Sequence, residues 1–161
     1  MAFELSLPPA AFTPEQPLTS TAERAVIDVV QGNSVLTMAA ADTPAARSAK
    51  FKLPTNYSGG TITAEFVVAM ASATSGNVKL DLQWRQGDDA FDRAFAAAQT
   101  ATIARPANPN AEQILAINFT SAQIDGIVAG GFAQLRLTRD NAVASNAAGT
   151  AWITGGALFE A

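Results

Sequence analysis

Asn77-Val-Lys-Leu-Asp-Leu-Gln-Trp-Arg85 decides the fold class. Val78, Leu80, Leu82 and Trp84 fall on one phase of a two-residue repeat, and Lys79, Asp81, Gln83 and Arg85 on the other. Successive side chains of an extended strand point to opposite faces, so the run reads as an antiparallel strand with one apolar and one wet face. Trp84 shares the phase of three aliphatic residues, which makes it a core residue. Upstream, Ile62, Ala64, Phe66, Val68 and Met70 alternate with Thr61, Thr63, Glu65, Val67 and Ala69. Between the two runs lies Ala71-Ser-Ala-Thr-Ser-Gly76, whose small turn-forming residues predict a hairpin.

Weaker copies of the pattern extend in both directions. Ala25, Ile27 and Val29 form one set, and Val35–Met38 follows a turn at Gln31-Gly32-Asn33. Ala49, Phe51 and Leu53 form another, closed by Pro54. Further sets are Leu115, Ile117 and Phe119, then Ala133, Leu135 and Leu137. The last run, Trp152–Phe159, is interrupted by Gly155-Gly156, which marks a bulge or a close backbone approach. Ala94–Ile103 opens with helix-favouring alanines and ends on strand-favouring Thr100-Ala-Thr-Ile103, so a short helical or irregular start and then a strand are expected. Ser121–Ile127 reads as a single helical turn, capped by Ser121 and ended by Gly126. About eight strands with regular turn signals predict an all-β, jelly-roll-like antiparallel β-sandwich over residues 23–161. Residues 1–22 read as an extended arm, because Pro8, Pro9, Pro14 and Pro17 fix φ and remove donors. Phe3, Leu5, Leu7 and Phe12 are its anchors, placed to dock on a partner.

With 161 residues, one domain can bury a sizeable core. Hydrophobic residues make up 48% and charged residues only 15%, which points to a surface partly covered by something else. A net charge of −4, with the basic residues scattered, argues against nucleic-acid binding. The absence of Cys and His excludes disulfides, thiolate nucleophiles, imidazole bases and His- or Cys-ligated zinc, and no cofactor is implied. No apolar run is long enough to cross a membrane as a helix. Met1-Ala-Phe-Glu-Leu5 lacks the basic and apolar regions of a secretory leader, so synthesis in the cytoplasm is expected.

Candidate sites are few. Asp88, Asp89 and Asp92 follow the strongest strand and form the densest oxygen cluster for Ca²⁺, but the Gly and distal Glu of a calcium-hand loop are missing. A solvated loop is the simpler reading. Glu65 and Asp81 lie on wet phases of runs that read as neighbouring strands, and a glycosidase would need such a pair to face one sugar. A serine nucleophile finds neither Ser-x-x-Lys nor Gly-x-Ser-x-Gly, so catalysis is not expected. Tyr57 and Trp152 are the candidate ligand aromatics, since an aromatic face matches the apolar face of a pyranose. Asn-x-Ser/Thr sequons at Asn56 and Asn118 carry no weight without a secretory leader.

Several stretches carry a family likeness: Phe51-Lys-Leu-Pro-Thr-Asn-Tyr-Ser-Gly-Gly-Thr61, Ala71-Ser-Ala-Thr-Ser-Gly-Asn-Val78 and Gln83-Trp-Arg-Gln-Gly-Asp-Asp89, with Phe95-Ala-Ala-Ala-Gln-Thr100, Ile124-Asp-Gly126 and Leu135-Arg-Leu-Thr-Arg-Asp140. Together they resemble a group of tailed-bacteriophage virion structural proteins, over roughly residues 25–160. The shared motifs are turns and strands and bring no catalytic or ligand residues. The resemblance implies a virion component. By analogy with small phage β domains, it implies a capsid decoration (cement) protein on the capsid surface, a homotrimer whose partners are the major capsid protein and sister subunits. The alternative is a carbohydrate- or receptor-binding module of a head spike or tail fibre, with a glycan as its partner.

Overall fold

The computed structural model describes residues 3–15, 25–40, 43–72, 75–87, 93–104, 108–142 and 145–160. In chain order the strands are β1 (Glu4–Ser6), β2 (Phe12–Pro14), β3 (Val26–Val30), β4 (Asn33–Met38), β5 (Ala45–Ser48) and β6 (Phe51–Lys52). They continue with β7 (Ile62–Met70), β8 (Asn77–Gln86), β9 (Gln99–Ala104), β10 (Gln113–Phe119), β11 (Phe132–Arg139) and β12 (Ala151–Glu160). Sheet I runs β10-β7-β12-β4-β3 with β1 also on β12, and sheet II runs β2-β5-β11-β8-β9 with β6 also on β11. Every strand pair is antiparallel. The described helices are short 3-10 turns at Pro9–Ala11 and Ser121–Ile124, and none is long and apolar enough to cross a membrane.

The apolar phases read from the sequence meet between the sheets. Ile62, Ala64, Phe66, Val68 and Met70 from β7, and Val78, Leu80, Leu82 and Trp84 from β8, are all buried. Trp84 sets its indole edge-on to Phe119 at 5.7 Å and to Phe51 at 6.0 Å, the T-shaped geometry that aromatic quadrupoles favour. One cation lies among these side chains. Arg139 is fully buried and donates to the carbonyls of Met38 (2.8 Å), Gly149 (2.7 Å) and Ala147 (2.6 Å). Burial lowers its pKa to about 10, so it remains charged at neutral pH and is held by backbone dipoles at one end of the sandwich. At the opposite end of β12, Glu160 accepts from Ser58 Oγ (2.5 Å), Ser58 N–H (2.9 Å) and Gly60 N–H (3.1 Å). The Ser58 hydroxyl bond first, then the amides, hold that carboxyl below its ordinary pKa.

Several expectations are corrected. Ala71–Gly76 is not a hairpin turn, because β7 lies in sheet I and β8 in sheet II. Alternation is satisfied equally when two strands stack face to face and when they pair side by side, so the sequence did not separate the two. Among the described residues the strands number twelve rather than about eight. Two of the extra strands come from the segment read as an arm: β1 pairs with β12 in sheet I and β2 with β5 in sheet II. Phe3, Leu7 and Phe12 are buried in the chain's own core, and Leu5 packs against it. These side chains are therefore already covered where docking on a partner was expected. Pro9 starts the 3-10 turn and Pro14 ends an edge strand, the places where a missing donor costs least. Pro17 lies outside the described residues. The 3-10 turn at Ser121–Ile124 is capped one residue earlier than read, at Thr120, whose N–H donates to the Gln123 side chain at 2.8 Å. The Gln31-Gly32 turn joins β3 to β4 as read, with both residues at positive φ (50° and 85°). The register of β12 shifts between Ile153 and Gly155, a bulge where the paired glycines predicted one.

Candidate functional site

Strand alternation determines what the outside of sheet I presents. Leu36, Phe66, Val68, Ala151 and Ile153 point into the core, so Thr37, Val67, Ala69 and Trp152 point out. Trp152 stands in register between Ala69 of β7 and Thr37 of β4. Neither neighbour is bulky. Just beyond it, the bulge brings Gly155 opposite Val67, and no atom lies within 4 Å of where a Cβ on Gly155 would stand. The result is a groove of about 670 Å³, within the usual range for small-molecule sites. Its apolar lining is Trp152, Val67, Ala69, Val30 and Val35.

Polar groups line the same groove. Thr154 Oγ1 donates to Glu112 Oε1 at 2.7 Å, which fixes a carboxylate beside the indole. The second Glu112 oxygen has no protein partner among the described residues. Asn110 adopts a left-handed backbone (φ 64°), and its N–H donates to the Met70 carbonyl at 3.0 Å, which ties its loop to the end of β7. Asn33 opens β4 directly after the hairpin turn. An aromatic plane flanked by amides, a hydroxyl and a carboxylate offers stacking area and hydrogen-bonding groups together.

The sequence-derived candidates are spread over the molecule. Trp152 lies in the groove. Tyr57 is buried at the far end, roughly 25 Å away along β12. Its ring packs edge-on to Phe3 at 6.0 Å and its hydroxyl donates to the Gly60 carbonyl at 2.9 Å. Burial, with the nearby Glu160 carboxylate second, pushes the Tyr57 hydroxyl pKa up. The two aromatics do not share a site. Asp88, Asp89 and Asp92 lie outside the described residues, and among the described residues no acidic cluster is gathered to hold a metal ion. Glu65 points outward from sheet I and Asp81 outward from sheet II, so the two carboxylates face opposite sides of the sandwich and cannot flank one glycosidic bond.

The residues that sequence reading missed are Val67, Ala69, Asn110, Glu112 and Thr154. A signal for some of them was present: the outward phase of β7 turns from Thr63 and Glu65 to Val67 and Ala69, so the supposedly wet face becomes apolar where Trp152 crosses it.

The outer face of sheet II differs in charge. Arg47 and Arg136 converge on the Glu15 carboxylate, and the Phe95 ring lies between the guanidiniums of Arg47 (5.3 Å) and Arg85 (4.8 Å). Lys79 pairs with Asp140 at 2.6 Å. Among the described residues, the strands of sheet I carry no Lys or Arg, whereas Glu4, Asp28 and Glu65 face outward from it.

No protein-family model matches the sequence, and no curated protein matches it. Solved structures do match the fold. The family-35 carbohydrate-binding module CBM35 from Cellvibrio japonicus Abf62 superposes with a TM-score of 0.57 at 14% identity, over 99% of this chain and 97% of that one. A Xyl-CBM35 solved in complex with a glucuronic acid containing disaccharide gives 0.55 at 14% identity, over 98% and 96%. The CBM22-2 xylan-binding domain from Paenibacillus barcinonensis Xyn10C gives 0.55 at 10% identity, over 94% and 92%. At these identities the likeness is one of architecture: this chain has the jelly-roll β-sandwich that those carbohydrate-binding modules have.

Proposed function

We propose that the chain is a glycan-binding module that takes a sugar chain on the outer face of sheet I and acts by binding alone. The observation that carries this reading is Trp152, a half-buried indole set on a strand in a 670 Å³ groove with Thr154, Glu112, Asn110 and Asn33 on its lining. A pyranose presents an apolar face to an aromatic ring and hydroxyls to the groups around it. The shared architecture supports the reading, since one similar structure is named as xylan-binding and another holds a disaccharide. The proposed setting follows from the resemblance to phage virion proteins: a head-spike or tail-fibre module whose partner is a host-surface glycan. A cement role is less supported, because Phe3, Leu7 and Phe12 are buried in the chain's own core.

The chain has two tryptophans, and Trp84 is fully buried, so Trp84→Phe leaves Trp152 as the single indole reporter. Glycan-array screening of the wild type, followed by fluorescence titration of Trp84→Phe with the best hit, is expected to show a Trp152 emission shift. Trp152→Ala should weaken that binding by about tenfold or more while keeping the far-UV circular dichroism spectrum. A blank array, or a Trp152→Ala variant that binds like the wild type, would remove the basis for the proposal.

A further inference from the structure

The lining of the groove also specifies a ligand class, provided the glycan-binding reading holds. Glu112 is held by Thr154, and Thr154 is two positions from Trp152 on β12, about 7 Å along the strand. The carboxylate is therefore within about one sugar ring of the indole. Asp28 and Glu65 point from the same face, and the strands of sheet I hold no Lys or Arg among the described residues. A sugar stacked on Trp152 thus finds acceptors for its hydroxyl protons and, on these strands, no cation for a carboxylate or sulfate of its own. An anionic substituent there lies several ångströms from the exposed Glu112 carboxylate, closer than the screening length of a dilute buffer, so the like charges repel most at low salt.

We infer that the groove selects uncharged glycan chains and discriminates against chains bearing uronate, sialate or sulfate groups, with Glu112 as the determinant. This would set the chain apart from the architecturally similar module solved with a glucuronic acid containing disaccharide. The mechanism is local: Glu112 accepts hydroxyl donors from a neutral sugar at full strength but opposes a second negative charge.

The test is an array carrying neutral oligosaccharides beside their uronic-acid-, sialic-acid- and sulfate-bearing counterparts. The best neutral probe and its uronic-acid-substituted counterpart are then titrated against wild type and Glu112→Gln at low and high salt. Gln keeps an oxygen for the Thr154 hydroxyl. The expected result is roughly tenfold weaker binding of the acidic probe at low salt, a ratio that narrows at high salt and in Glu112→Gln. The ratio of the two probes is the readout, so a general loss of affinity in the variant does not mimic it. Acidic probes that bind as tightly as neutral ones and lose binding in Trp152→Ala would overturn the inference while the glycan reading stands. A ratio unchanged by Glu112→Gln would overturn Glu112 as determinant. An array blank for every probe would overturn the glycan reading itself, and this inference with it.

Discussion

Asp81 stands on β8 across from Thr138, with one carboxylate oxygen buried and without a hydrogen-bond partner. Burial raises its pKa, Lys79 at 3.9 Å opposes that rise, and Asp140 adds to it. A carboxyl whose folded pKa lies above its unfolded value favours the fold while protonated, and that contribution is lost as pH rises through the folded pKa. At neutral pH the burden is fully present. Asp81→Asn is therefore expected to raise Tm at pH 7 by roughly 1–3 °C, a screened effect, with the difference fading below about pH 4. Thermal melts of both proteins across that range check it, and a variant less stable at pH 7 than at pH 3, relative to wild type, contradicts it. At this scale the sequence was most readable for inward residues. Trp84 declared itself by phase, since it stands two and four positions after Leu82 and Leu80 and so shares their strand face. Trp152 did not, because what gives it meaning is Glu112, Asn110 and Asn33, which come from other strands and loops, and no local pattern encodes that meeting.

The central element of sheet I is β12, and its bulge separates two adjacent glycines into different roles. A Cβ on Gly156 would lie 2.9 Å from the Glu65 carbonyl oxygen and 3.0 Å from the Phe66 ring, whereas one on Gly155 meets nothing within 4 Å. Gly156→Ala is accordingly expected to destabilise by about 1–3 kcal/mol, and Gly155→Ala by about 0.5 kcal/mol or less. Urea denaturation of the two variants separates them, and equal midpoints would mean that the close approach of β12 to β7 is not what fixes glycine there. The bulge was legible because paired glycines interrupt a strand for few other reasons. β5 was not legible as a strand, because Ala45-Ala-Arg-Ser48 carries no β-branched or aromatic residue. It is a strand because β2 and β11 lie on either side of it and supply its backbone partners. The same tertiary override sent β7 and β8 to opposite sheets.

Across the whole molecule, residues 3–15 join the two sheets. Leu7 N–H donates to the Gly156 carbonyl at 2.7 Å in sheet I, Glu15 N–H to the Ala45 carbonyl at 2.8 Å in sheet II, and Phe12 packs against Phe66 between them at 6.4 Å. Phe12→Ala is expected to cost the isolated chain about 3–5 kcal/mol, the range for truncating a buried aromatic. Were this segment a docking element for another protein, the variant would keep the stability of the isolated chain, so a urea midpoint equal to wild type decides against the packing described here. The sandwich class was readable from alternation alone, while the strand order and the fate of the proline-rich segment were not. Both depend on which distant edge each strand finds, and many pairings bury the same apolar rows.

The pairing of Glu4 with Phe159 also governs how the chain is born. β1 leaves the ribosome long before its partner on β12 has been translated, so Phe3 and Leu7 lack that cover while the residues between the two strands are made. Sheet I can be completed only after residues 151–160 have emerged, which makes cooperative, late closure the natural route of folding for this topology.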